Sequence, residues 1–66
     1  MEFARRLRLE HARRMLEQPS PATTVTDVAF ACGFGDLGRF ARDFQRMFGE
    51  RPSALLARRR DIFALD

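Results

Sequence analysis

The positions of glycine and proline constrain this chain more than any other feature of its sequence. Apart from Gly38, these residues stand at three breaks, namely Pro19 and Pro21, Gly33 and Gly35, and Gly49 and Pro52. Proline cannot continue a helical hydrogen-bond ladder, and glycine readily takes the left-handed conformation that ends helices. No segment between the breaks alternates apolar and polar residues as a half-buried strand would. The sequence therefore predicts an all-α fold.

Local signals next to those breaks predict the bounds of four helices. Residues 2–17 are good helix formers without glycine or proline. Thr24 can cap a second helix, with Asp27 as its capping-box partner. Asp36 can cap a third helix that runs to about Phe48, and Pro52 suits the first turn of a fourth. We expect a single domain over residues 1–66, with a first helix at 2–17, a helix pair at 24–48 and a last helix at 52–62.

The charge of the chain is positive, and arginine alone supplies the positive side chains. Twelve basic residues face nine acidic ones, for a net charge of +3. The planar guanidinium fork suits phosphates and guanine edges. Many small soluble domains carry a comparable net charge, so the positions of the arginines matter more than their sum.

Few residues could carry catalysis or bind a metal. The single Cys32 excludes an internal disulfide and fits a reducing compartment, and on an inward helix face it is expected to be a small buried hydrophobe. His11 has no second His or Cys at ligand spacing, and tyrosine, lysine and paired carboxylates are missing. We expect no catalytic residue, metal site or cofactor. Without a long apolar run or a secretory signal, we expect a cytoplasmic chain with no membrane partner.

The third predicted helix is strongly two-sided. At roughly 100° per residue, one face carries Phe40, Phe44, Met47 and Phe48, and the opposite face carries Arg42, Gln45 and Arg46, with Arg39 at the flank. A solvated surface would explain such a face in an isolated helix. The short helix before it and the turn at residues 33–35 favour a helix-turn-helix, whose second helix, here residues 36–48, enters the major groove.

Several strings together resemble the AraC/XylS family of bacterial transcription regulators. They are Val25-Thr26-Asp27-Val28-Ala29, Cys32-Gly33-Phe34, the Phe40 and Phe44 pair, Phe48-Gly49 and Pro52-Ser53, and upstream Arg8-Leu9, Ala12 and Met15-Leu16. The resemblance implies a homeodomain-like helix-turn-helix subdomain that binds double-stranded DNA at the nucleoid, with the first helix as the family's long linking helix. It also implies that a first helix-turn-helix and a sensor domain belong to the parent protein and are missing here.

The resemblance assigns the base contacts to the exposed start and middle of the third helix, at Leu37, Gly38, Arg39 and Arg42. Arg42 is the strongest candidate, because it faces away from the phenylalanines and can bind guanine in a bidentate manner. Arg39 could instead bind phosphate or pair with Asp36 or Asp43. Gly38 permits only close approach. The helical angle of Leu37 favours the core, whereas the family register directs it to a thymine methyl group.

Residues around that helix are expected to contact the phosphates of the DNA backbone. Thr24 and Thr26 start the second helix, where unpaired N–H groups attract anions, and the other candidates are Gln45, Arg46, Arg51 and Ser53. Arg51 replaces the usual Ser or Thr cap of the family, at a typical cost of ~1 kcal/mol. The run Arg58-Arg59-Arg60 could hold DNA or could stabilise the negative end of the last helix.

The first helix has two apolar sides. Leu9, Ala12 and Leu16 can pack on the helix-turn-helix, whereas Phe3, Ala4 and Leu7, with His11 and Met15 beside them, form a second patch. That patch could drive self-association. The alternative to DNA binding is therefore a helical protein-interaction module, or a self-associating fragment that does not bind DNA on its own.

Overall fold

The computed structural model describes residues 3–64, and the side chains of residues 3–62. It contains four helices, α1 (Phe3–Glu17), α2 (Val25–Ala31), α3 (Leu37–Phe48) and α4 (Pro52–Ala64), and no strand over that range. The predicted all-α fold is confirmed. Helix α4 runs two residues past the expected end at 62. Residues 1, 2, 65 and 66, including the expected helix start at Glu2, lie outside the described residues.

The ends of the helices are set by capping side chains and glycines that the sequence predicted. The Asp27 backbone N–H donates to Thr24 Oγ1 at 3.0 Å, and the Arg39 N–H donates to Asp36 Oδ1 at 3.0 Å, so both predicted N-caps are confirmed. Gly33 and Gly49 have φ angles of 88° and 80°. A side chain at either position would be strained there. These two glycines end α2 and α3 and thereby set the direction of the next helix.

The core lies where α1 crosses the other helices. Helix α1 packs most extensively on α4 and next on α2. The buried apolar side chains come from every helix and are Leu9, Ala12, Leu16, Val28, Ala29, Cys32, Phe40, Phe44, Leu55 and Leu56. A chain of phenylalanine rings joins the turn to α3, with centroids 4.9 Å apart between Phe34 and Phe40 and 5.7 Å apart between Phe40 and Phe44. This cluster fixes the angle at which α3 presents its other face.

Two apolar residues lie elsewhere than their helical angles predicted. Met15 packs against the core cluster, with its sulfur 3.8 Å from Cys32 Sγ, so it is not part of the second patch of α1. Leu37, whose angle favoured the core, is 39% exposed and is not among the buried residues of the core. Phe3 and Leu7 are 74% and 46% exposed, as expected of an apolar face that no other helix covers within residues 3–62. None of the helices formed by residues 3–64 is long and apolar enough to cross a membrane.

Candidate nucleic-acid interface

The exposed side of α3 is a narrow arc with Arg42 at its centre. At about 3.6 residues per turn, Gly38 and Gln45 lie on one edge of the arc, and Arg39 and Arg46 lie on the other. All five residues are exposed. The opposite side of the helix is anchored by Phe40 and Phe44, both fully buried. The rings therefore hold this arginine-rich arc outwards in a fixed orientation.

On the first edge, α3 meets the N-terminal ends of α2 and α4. An open depression of about 410 Å³ lies between them, lined by Val25, Gly38, Ala41, Arg42, Gln45, Arg51, Pro52 and Ser53. Five predicted contact residues, from two helices and the loop between them, thus border one concave surface: Gly38, Arg42, Gln45, Arg51 and Ser53. The remaining predicted residues of this side, Thr24 and Thr26, are exposed at the start of α2. Thr24 uses one lone pair of its hydroxyl oxygen for the cap, and its hydroxyl hydrogen can still be donated.

Gly38 leaves room in this depression. A Cβ atom on Gly38 would meet only Asp36 Oδ1, at 3.4 Å. A small side chain would therefore fit with a slight shift of that carboxylate. The absence of a side chain keeps the helix backbone accessible beside Arg42.

On the second edge, Arg39 and Arg46 face the arginines of α1. Arg39 borders a depression of about 280 Å³ with Arg5, Arg8, the turn at 33–35, Asp36 and Asp43. Arg46 borders a larger one, of about 510 Å³, with Arg6, Glu10, Arg13, Met47 and Phe48. Arg39 forms no ion pair with Asp36 or Asp43, which was one of the alternatives that the sequence left open. Asp36 Oδ1 accepts from the Arg39 backbone instead, and Asp43 Oδ2 lies 3.9 Å from Arg5 Nη1.

The arginines of the molecule divide into paired and unpaired groups. Over residues 3–62, the side chains of Arg39, Arg42, Arg46 and Arg51 form no hydrogen bond or ion pair. Every one of them was predicted to contact DNA. Unpaired guanidinium groups are ready to bind an anion without first breaking an internal contact.

Arg58, Arg59 and Arg60, by contrast, contact other parts of the chain. Arg58 binds Glu50 through two hydrogen bonds of 2.6 and 3.0 Å. Arg59 Nη2 lies 3.5 Å from Glu17 Oε2, and Arg60 donates to the Thr23 carbonyl oxygen. The hydrogen bond from Arg58 lowers the pKa of Glu50, and the same bond raises the pKa of Arg58. These contacts join α4 to α1 and to the loops before α2 and α4. The run lies before the last turn of α4, which contains no basic residue, so it does not stabilise that helix end.

Sequence reasoning missed Arg5 and Arg8 as neighbours of the site. Both border the depression next to Arg39. The signal was available, because Arg5 lies in line with the stripe of Leu9, Ala12 and Leu16 on α1 and Arg8 lies beside it. Both arginines therefore had to lie near the surface that this stripe covers. What the spacing did not give was the part of the helix-turn-helix that they would meet.

No group of His, Cys, Asp and Glu side chains within residues 3–62 is arranged to hold a metal ion. Cys32 is 6% exposed, and burial raises the pKa of its thiol. The thiol is therefore mainly protonated near neutral pH and a poor nucleophile. The prediction that Cys32 is a buried hydrophobe is confirmed.

Comparison with known proteins places this geometry in a class. Residues 1–58 match a family model described as a helix-turn-helix domain. The HTH-type transcriptional regulator GlxA of Rhizobium meliloti is 43% identical over 58 residues, 88% of this chain and 17% of that protein. The HTH-type transcriptional activator RhaS of Pectobacterium atrosepticum is 40% identical over 53 residues, 80% of this chain and 18% of that protein. The chain is a DNA-binding helix-turn-helix domain.

A solved structure narrows the class. The crystal structure of a probable AraC family transcriptional regulator from Rhodopseudomonas palustris matches with a TM-score of 0.82 and 53% identity, over 86% of this chain and 53% of that one. The XylDLEGF operon transcriptional activator 2 of Pseudomonas putida is 40% identical over 86% of this chain and 37% of that protein. The chain belongs to the AraC/XylS family of transcription regulators, which confirms the resemblance seen in its sequence. It spans less than a fifth of the length of the first curated relatives, at 17% and 18%, and these relatives are regulators rather than enzymes.

Proposed function

We propose that this chain binds double-stranded DNA by placing α3 in the major groove, as one reading unit of a transcription regulator. The observation that carries the proposal is the unpaired arginine arc, held outwards by fully buried Phe40 and Phe44. A helix with its side chains is about 10–12 Å across, and the major groove is about 12 Å wide. Helix α3 therefore fits with Arg42 pointing at the base edges.

Arg42 is the principal base-reading residue in this proposal. It lies at the centre of the arc and, among residues 3–62, has no internal partner to leave before it binds guanine. Arg39 and Leu37, one turn nearer the helix start, reach neighbouring bases, and the exposure of Leu37 suits contact with a thymine methyl group. Gly38 allows the helix backbone to approach the base edges closely. Direct readout thus depends on few side chains and is narrow.

Phosphate contacts complete the interface in the proposal. On the first edge of the arc they come from Thr24, Thr26, Gln45, Arg51 and Ser53, several of which line the depression beside Arg42. On the second edge Arg46 binds the opposite phosphate wall. These contacts position the helix and carry no sequence information of their own.

The rest of the regulator is also proposed from the family. Because this chain spans 17% of its relative GlxA, we propose that residues 1–66 form one subdomain. In the whole regulator, α1 connects this subdomain to a first helix-turn-helix, and a sensor domain lies elsewhere in the protein. The regulator would act on the nucleoid, in the cytoplasm. A lone unit covers about one major-groove segment, so it binds weakly.

The first experiment is a fluorescence-anisotropy titration with duplex DNA across salt concentrations, after selection of a preferred site. Arg42→Ala should weaken binding to that site by about 5- to 150-fold, equivalent to 1–3 kcal/mol of base discrimination. It should change binding to random duplex much less. Arg46→Ala removes the same charge one turn away. It should weaken binding to the selected site and binding to random duplex equally.

Equal losses on both duplexes for both variants would contradict this division of roles. No binding even at about 20 mM salt, where phosphate attraction is strongest, would overturn DNA binding by the isolated chain. The second candidate, self-association through α1, would then stand on the exposure of Phe3 and Leu7. Sedimentation velocity detects it directly.

A further inference from the structure

Arg8 is an unpaired arginine outside the recognition helix, and it lies against the helix-turn-helix turn. Its side chain passes over Gly33, so that a Cβ atom placed on that glycine would be 3.8 Å from Arg8 Nε and 3.9 Å from Arg8 Cδ. Within residues 3–62 it forms no ion pair or hydrogen bond. Arg8 thus lies beside the turn, and no acidic side chain within residues 3–62 pairs with it.

The other arginines of α1 differ from Arg8. Arg6 pairs with Glu10 at 3.6 Å, and Arg13 pairs with Glu17 at 3.8 Å and also lies over the Phe48 ring. Arg14 is exposed but borders a separate depression near the end of the helix. Arg5 stands beside Arg8 in the depression that Arg39 borders. Three arginines from two helices thus converge on one side of the start of α3.

Each acidic residue of this depression has one contact with an arginine of the same depression. Asp36 Oδ1 accepts the capping hydrogen bond from the Arg39 backbone. Asp43 is 8% exposed, and its Oδ2 lies 3.9 Å from Arg5 Nη1, too far for a hydrogen bond but close enough for an ion pair. Since a buried carboxylate needs a compensating charge, Asp43 holds Arg5 in place. The three arginines and two carboxylates of this depression leave a net charge of +1, and Arg8 and Arg39 are its arginines without an ion pair among residues 3–62.

The geometry of a groove explains what this charge could bind. A helix that fills the major groove has a phosphate wall on each side. The first edge of α3 has the ends of α2 and α4 beside it, whereas the second edge has α1. Arg8 extends that second edge beyond Arg39, in the direction of the turn.

We propose that Arg8, with Arg5 held behind it by Asp43, binds a backbone phosphate of DNA on the groove wall next to Arg39. This inference rests on the proposed function and adds α1 to the interface. The linking helix would then contact DNA itself and fix the register of α3 from the side opposite to Thr24 and Ser53.

The test compares Arg8→Ala with Arg14→Ala, which removes the same charge from the same helix outside the depression. Salt-dependent anisotropy titrations on a selected site and on random duplex give the slope of log affinity against log salt. Loss of one phosphate contact reduces that slope by about 0.9. We expect this reduction for Arg8→Ala, equally on both duplexes, and no change for Arg14→Ala. Arg8→Lys, which keeps a point charge able to bind phosphate, should restore most of the slope.

Arg8 is a better probe than Arg5, whose removal leaves Asp43 buried without a cation. Circular dichroism of each variant checks that the helices persist. If Arg8→Ala matches Arg14→Ala while Arg42→Ala still weakens the selected site, the inference is overturned and the proposed function stands. If Arg42→Ala also has no effect on either duplex, the proposed function fails with it.

Discussion

The arginines on the two sides of this molecule have opposite surroundings. On the arc of α3, Arg39, Arg42 and Arg46 are exposed and, within residues 3–62, form no internal ion pair. At the end where α4 returns to α1, Arg58 and Arg59 contact Glu50 and Glu17. The net charge of +3 counts both groups equally. The comparison teaches that the position of uncompensated charge, rather than its sum, distinguishes the proposed nucleic-acid face.

The pairing at the second end follows from how the helices meet. Glu17 is the last residue of α1 and lies within reach of both Arg13 on its own helix and Arg59 on α4. Arg58 reaches back across the start of α4 to Glu50. These contacts are partly exposed, so each contributes little stability by itself. Their larger consequence is that these guanidinium groups already have anionic partners.

The largest expected effect comes from removing two arginines from each side in turn. Arg42→Ala with Arg46→Ala should lower affinity for a selected duplex at least tenfold, because a base contact of about 1–3 kcal/mol is lost together with a phosphate contact. The matched double variant Arg58→Ala with Arg59→Ala removes the same charge. It should change affinity less than about twofold at a salt concentration near 0.15 M, where the Debye length is about 8 Å.

Thermal unfolding should show the reverse order. The Arg58 and Arg59 variant loses contacts that join α4 to Glu50 and α1, so its melting temperature should fall. The Arg42 and Arg46 variant loses no hydrogen bond or ion pair among the described residues and should melt close to the unaltered chain. Equal affinity losses in the two double variants would show that the sum of charge governs binding, and the comparison would be wrong.

The sequence was sufficient to predict the structural features that depend only on residues close together in the chain. The caps at Thr24 and Asp36, the glycine ends of α2 and α3, and the buried phenylalanine face of α3 are all local patterns. Each is set by residues no more than a few positions apart. The outward arc on α3 follows from the same helical spacing. The residues of the arc could therefore be predicted from the sequence, although their neighbours on other helices could not.

Features that depend on long-range packing were not predictable in this way. Glu17 and Arg59 meet only because α1 packs on α4, and Arg8 reaches Gly33 only because α1 passes the turn. Met15 lay at the border of two faces of α1, and in the structure its sulfur contacts that of Cys32, the residue after α2. Helical spacing gives the angle of a side chain but not its partner on another helix. The roles of the predicted DNA contacts remain predictions for the same reason.

A smaller effect is expected at Arg51, the residue just before α4. The Arg51 carbonyl accepts from the Leu55 N–H at 3.1 Å, so this residue occupies the cap position without a capping side chain. Arg51→Ser supplies a hydroxyl to the unpaired N–H groups of α4 and should raise the free energy of unfolding by about 1 kcal/mol. The same change removes a positive charge from the proposed DNA face, so the steepness of the fall of log affinity with log salt should decrease by about 0.9.

Arg51→Ser is a sharp test because it is expected to raise stability and to lower DNA affinity. Stability and DNA affinity should move in opposite directions, as measured by denaturant unfolding and anisotropy. Arg51→Ala is the control, because it removes the charge without adding a cap. It should weaken DNA binding as much as the serine variant and leave stability nearly unchanged. A serine variant that binds DNA as tightly as the unaltered chain would remove Arg51 from the interface.

The smallest expected effect concerns Glu50, the partner of Arg58 on the paired side. The hydrogen bond from Arg58 lowers the pKa of Glu50 in the folded chain, so the unfolded chain binds a proton at this site more readily. The pair therefore stabilises the fold near neutral pH. That contribution disappears as the pH falls below about 4, through the ordinary range of a glutamate towards its lowered pKa.

Glu50→Gln removes this contribution and tests the paired side alone. The variant should unfold at slightly lower denaturant than the unaltered chain near neutral pH, and the difference should vanish in acid. Glu10→Gln, whose partner Arg6 lies 3.6 Å away without a hydrogen bond, should lose less stability near neutral pH. Affinity for DNA should change less than about twofold at a salt concentration near 0.15 M, although Arg58 is released. A marked gain in affinity would mean that Arg58 reaches DNA once it is unpaired, and that pairing, rather than position in the fold, keeps it from the interface.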